Sequence, residues 1–96
     1  MIDDRSKAEL THYLGKFPEC KECGVAEKDT LKFYHMRVNS WKEGLARAIG
    51  KMQCDKTDLL KLLNEFPTCD SDEIEDLRTF LSNARRWKTE FEVFLK

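Results

Sequence analysis

The stretch at residues 70–96, DSDEIEDLRTFLSNARRWKTEFEVFLK, decides how the rest of the chain is read. Its residues Leu77, Phe80, Ala84, Trp87, Phe91 and Phe94 step by three and four, the spacing of one helix face. The same stripe lies 46 positions earlier as Leu31, Tyr34, Val38, Trp41, Leu45 and Ala48. Tryptophan falls on tryptophan, and lysine follows both times (Trp41-Lys42 and Trp87-Lys88). Apolar positions matched one for one around a shared Trp-Lys pair point to an internal duplication.

The segments ahead of the two stripes also match, at an offset of 49: Ser6 with Asp55, Glu9 with Asp58, Leu10 with Leu59, Leu14 with Leu63, Phe17 with Phe66, Pro18 with Pro67 and Cys20 with Cys69. The drop from 49 to 46 implies three extra residues in the first loop, where Cys23 and Gly24 lie. A first helix is expected from Ser6, with Glu9 completing a capping box and Leu10, Tyr13, Leu14 and Phe17 forming its apolar face. Pro18 ends it, because the residue before a proline avoids helical backbone. A long helix is expected over 25–49, with Gly50 as its left-handed C-cap. Asp55 with Asp58 should cap a third helix, and Asp70 or Ser71 a fourth that runs to the C-terminus. No strand-like alternation competes. The expected fold is all-α, with short helix, Phe-Pro elbow and long helix occurring twice as two tandem helical hairpins that form a four-helix domain. Residues 1–96 read as a single helical domain, with repeat 1 over 6–50 and repeat 2 over 55–96.

A chain of 96 residues fits one modest core and not two. Charged residues make up 36%, which suits solvent-exposed helices. Seventeen basic against 18 acidic residues argue against a generic polyanion binder. No apolar run is long enough to cross a bilayer. The segment Met1-Ile2-Asp3-Asp4-Arg5 lacks the apolar core of a signal peptide, so an intracellular, reduced protein is expected.

Cys20-Lys21-Glu22-Cys23 is a CxxC in a loop, the kind of place where zinc-binding pairs occur, and it makes Cys20 and Cys23 candidate metal ligands. Zinc would need two further ligands from Cys54, Cys69, His12 and His35, none of them in a second paired motif. Because Cys20 has a counterpart in Cys69, a small apolar plug after each Phe-Pro accounts for both without a metal. A thioredoxin-like redox role lacks its βαβ setting. His12 and His35 have no nucleophile or carboxylate at a catalytic spacing, and no phosphate loop or nucleophile elbow is present. The reading is therefore non-enzymatic and without a cofactor. Arg78, Arg85, Arg86 and Lys88 make the fourth helix locally basic and are the candidates for nucleic-acid contact. Glu90, Glu92 and the acidic first turn balance them as a solvated face.

The repeats differ most at Phe33 and Met36, whose counterparts Thr79 and Ser82 are polar. Both residues lie well off the apolar stripe. Either the third helix covers them with Leu59, Leu60, Leu62 and Leu63, or they form a partner-binding patch edged by Arg37 and Lys32.

The unit LLKLLNEFPTCDSDEIEDLRTFLSNARRWKTEFEVFL resembles the helical region in the C-terminal half of the Jumonji–ARID histone lysine demethylases. The likeness rests on a short leucine-rich helix, an apolar-Pro elbow and a long helix with an Ala-x-x-Trp step. That step reads Ala84-Arg85-Arg86-Trp87 with Phe91 here, and Val38-Asn39-Ser40-Trp41 with Leu45 in the first copy. The elbow departs from the pattern, with Phe before proline and a cysteine after it. The resemblance implies a nuclear scaffold or interaction segment of a chromatin enzyme, with the iron and 2-oxoglutarate site elsewhere and none of its ligands carried here. The expected function is a helical scaffold or protein–protein interaction module that contacts a protein partner or flanking domains. A zinc or redox domain using Cys20 and Cys23, a nucleic-acid-binding helical domain, and a free-standing inhibitor protein are the alternatives.

Overall fold

The computed structural model describes residues 3–19, 25, 27–53 and 55–95. Four helices follow one another: α1 (Asp4–Leu14), α2 (Lys28–Gly50), α3 (Thr57–Asn64) and α4 (Ile74–Leu95), with no strand among the described residues. The expected all-α, four-helix fold is what the chain adopts. No helix among the described residues is long and apolar enough to cross a membrane.

The two long helices form the most extensive contact. Each short helix packs closest to the long helix of the other unit, α1 on α4 and α3 on α2. Each is nonetheless tied to its own long helix by an indole. The Trp41 Nε1–H donates to the Tyr13 carbonyl at 3.2 Å, and the Trp87 Nε1–H to the Leu62 carbonyl at 2.7 Å. Tyr13 and Leu62 are 49 positions apart, the offset of the short helices. The elbow phenylalanines repeat the arrangement, Phe17 edge-on to Trp41 and Phe66 edge-on to Trp87, both with ring centroids at 4.9 Å. Trp41 and Trp87 then meet each other edge to face at 6.0 Å, joining the units through one aromatic core. Offset and T-shaped geometries of this kind contribute about 0.5–1.5 kcal/mol per pair beyond area burial.

Several boundaries differ from the sequence expectation. The first helix starts at Asp4, not Ser6, because the Asp3 carboxylate accepts the Ser6 N–H at 3.0 Å and so caps one turn earlier. A charged acceptor at an N-cap is stronger than a hydroxyl. Ser6, through its hydroxyl and then its N–H, holds the Asp3 carboxyl below the ordinary carboxylate range. α2 starts at Lys28 rather than 25; Val25 is 84% exposed, so an extra turn there would bury nothing. Gly50 is the last helical residue and not a left-handed cap, and no described glycine has positive φ. The last turn tightens instead. Lys51 N–H donates to the Arg47 and Ala48 carbonyls, Met52 N–H to the Ile49 carbonyl, and the Lys56 ammonium to the Gly50 carbonyl at 3.2 Å. Buried Met52 draws the chain into this turn.

α3 is not capped by Asp55 and Asp58 as expected: its N-cap is Lys56, which makes no side-chain capping bond, and Asp58 lies in the first turn. Asp55, one residue before the cap, accepts from both Thr57 N–H and its hydroxyl, which lowers the Asp55 pKa. Ahead of α4, the Ser71 hydroxyl accepts the Glu73 N–H at 3.1 Å. The stripes themselves hold, with one shift at their ends. Leu95 is buried and Phe94 is 40% exposed, while Ile49 is fully buried and Ala48 only half-buried. Ile49 and Leu95 are themselves 46 apart, so the matched sixth position lies one residue later than the sequence reading put it.

Candidate interaction surface

The N-terminal half of α2 turns its core side inward through Leu31 and Val38, both fully buried. Phe33 follows Leu31 by two residues and Met36 precedes Val38 by two, about 200° around the helix in each case. Helix periodicity therefore turns both away from the core. Phe33 is 48% exposed and Met36 63%. The α3 leucines do not cover them. Leu59 is fully buried, Leu62 and Leu63 pack partly into the core, and Leu60 points outward. The apolar face of α3 is already occupied by the α2–α4 core.

Arg37 lies one turn after Phe33 and sets its guanidinium carbon 5.5 Å from the Phe33 ring centroid. Such cation–π contact holds a flexible side chain over an exposed ring. Tyr34, half-buried, meets the same ring edge-on at 5.6 Å. Lys32 reaches Asp72 at 3.7 Å on the surface. Phe33, Met36 and Arg37 thus share one face of α2, an apolar pair with a cationic border. On α4 the counterpart positions Thr79 and Ser82 are exposed and polar.

The four basic residues of α4 do not act as one group. Arg78 is half-buried and engaged in an interaction of its own. Arg85 and Arg86 are exposed, and Arg86 donates to the Asn83 side-chain oxygen at 3.0 Å. Lys88 has a largely covered side chain that pairs with Glu92 at 2.8 Å and with Glu19 of the first elbow at 3.9 Å. At 100° per residue the four spread over about 160° of the helix circumference. Lys88 fastens the elbow to α4.

Cys20 and Cys23, the metal candidates, lie outside the described residues. Among those described, no group of three or more potential ligands could hold a metal ion. Cys69 is half-buried against the core, with its Sγ–H directed at the Ser71 carbonyl 3.5 Å away. It lines a shallow cleft of about 250 Å³ with Thr68, Asp70, Asp76, Thr79 and Asn83. No histidine is among its described lining residues. His35 sets its ring edge-on to Phe80 at 4.7 Å and bonds Asn39 at 3.2 Å, both packing contacts. Sequence reasoning did not anticipate the pairing of Tyr13 with Gly44: a Cβ at Gly44 would collide with the Tyr13 hydroxyl. Its only sequence signal is a glycine in mid-helix.

The chain matches no family model, and no curated protein or solved structure is similar to it at a significant level.

Proposed function

We propose that this chain is a non-enzymatic helical module that binds a protein partner through the α2 face carrying Phe33, Met36 and Arg37. The observation that carries the reading is the exposure of Phe33 and Met36 in a helix whose other large apolar residues serve the core. An aromatic, a methionine and an arginine are the residue types enriched at the centres of interfaces. The Jumonji–ARID resemblance describes one form of the same module, in which the partner is a flanking domain of the same chain in a nuclear enzyme.

Site-specific photo-crosslinking in cells tests this proposal. A crosslinking amino acid at Met36 should capture one dominant protein or flanking domain, and the same amino acid at Ser82, the matched position of α4, should not. Equal adduct patterns from the two positions would remove the proposal.

A further inference from the structure

We infer that the partner segment is an acidic amphipathic helix of a protein, an inference that rests on the interaction-module reading. α2 carries five cations (Lys28, Lys32, Arg37, Lys42 and Arg47) against two carboxylates, Asp29 and Glu43, in a chain whose overall charge is −1. Of these cations only Arg37 and Lys32 border the apolar pair; Lys28 and Lys42 lie on the far side of the helix, and Lys42 stands over the Phe66 ring. Glu43 is already paired with Arg47. Lys32 shares a surface ion pair with Asp72, where both side chains stay well exposed and exchangeable. Among the described residues Arg37 has no carboxylate partner; its one recorded interaction is with the Phe33 ring.

An arginine fork held over an aromatic face and open to solvent is suited to a carboxylate one helical turn from an apolar anchor. An amphipathic helix with leucine or phenylalanine at helical spacing and Glu or Asp on its flanks supplies that combination. The apolar side chains would meet Phe33 and Met36, and the carboxylates would meet Arg37 and Lys32.

A second copy of the chain fits less well. Parallel pairing of two α2 helices about Phe33 sets Lys32 of one beside Arg37 of the other, like charge on like charge. Antiparallel pairing about Phe33 sets Arg37 against Asp29 but Met36 against Thr30, which leaves the methionine without an apolar counterpart. A nucleic acid would meet only two cations near the ring, with Asp29 and Asp72 close by, too few for the phosphate neutralisation that drives such binding.

The experiment uses the full chain and defined probes: three synthetic amphipathic peptides sharing one leucine stripe, with glutamate, glutamine or lysine flanks, and a single-stranded oligothymidine. Binding is followed by NMR at the Met36 methyl and the Arg37 side-chain N–H. The glutamate peptide should shift both signals and bind about tenfold or more tightly than the lysine peptide at low salt, the gap narrowing as salt is added. The variant Arg37→Glu with Lys32→Glu should reverse that order. If all three peptides bind alike, or the oligothymidine binds more tightly at these residues, the acidic-partner inference falls and the contact surface stands. If no probe shifts either signal, both fall.

Discussion

Gly44 and Tyr13 mark a place where the two matched halves of the chain differ at the level of single residues. The Tyr13 hydroxyl donates to the Trp41 carbonyl at 3.0 Å and lies where a Cβ on Gly44 would sit. The corresponding positions in the second unit are Leu62 and Glu90, a shorter side chain beside a residue that has a Cβ. A mid-helix glycine costs about 1 kcal/mol relative to alanine, so it is retained here for space. Gly44→Ala should therefore destabilise the protein by about 1–3 kcal/mol, the usual effect of overpacking. In a Tyr13→Leu background the same change should become neutral or gain up to about 1 kcal/mol from helix propensity. Chemical denaturation of the four proteins in this cycle measures the coupling, and strictly additive effects would mean that the two residues are independent. The glycine was legible in the sequence as an anomaly, but its reason was not. The close approach of α1 to α2 depends on how the helices cross, which local pattern does not encode.

Helix ends and stripe ends form the next scale. The stripes were readable because burial enforces the three-and-four spacing over many turns. The ends were less readable, because several capping groups and neighbouring apolar residues compete there on nearly equal terms. Phe94 and Leu95 are both apolar, and the packing of α4 places Leu95 inward. Leu95→Ala should accordingly cost about 2–5 kcal/mol as a buried leucine, while Phe94→Ala should cost far less; a reversed order in urea unfolding would restore the original stripe. The helix starts carry a pH dependence. Asp3 and Asp55 have carboxyls held below their ordinary range by hydrogen bonds at the starts of α1 and α3. A carboxyl whose pKa is lowered by folding stabilises the fold fully above its unfolded value, about 3.9. That contribution is lost as the pH falls through the lower, folded value. In the double variant Asp3→Asn with Asp55→Asn, the amides can still accept the hydrogen bonds, but they do not titrate. Its melting temperature should decline less steeply below about pH 4 than that of the parent protein. Identical acid profiles would show that these two carboxylates do not set it.

For the whole molecule, the repeated frame is what gives the exposed pair its meaning. Both units use the same indole-to-carbonyl bond and the same edge-on phenylalanine, and the two tryptophans meet in the middle. Within that frame Phe33 and Met36 stand on the surface where the second unit has Thr79 and Ser82. The sequence located this divergence but left two outcomes open, because a helix with two apolar faces is equally consistent with burial beneath a neighbour. Only the placement of α3, whose leucines enter the α2–α4 core, separates them. The basic residues of α4 were located in the same way, and packing divides them, since Lys88 is committed to Glu92 and Glu19. The most direct measurement is the thermal unfolding of Phe33→Thr with Met36→Ser, which writes the second unit's residues into the first. Surface substitutions usually change stability by less than about 0.5 kcal/mol, which for a domain of this size is a shift of at most about 4 °C. A shift within that range is expected. A fall of more than about 10 °C, as the loss of a buried aromatic would produce, would show that the pair belongs to the core and that this face of α2 is not a contact surface.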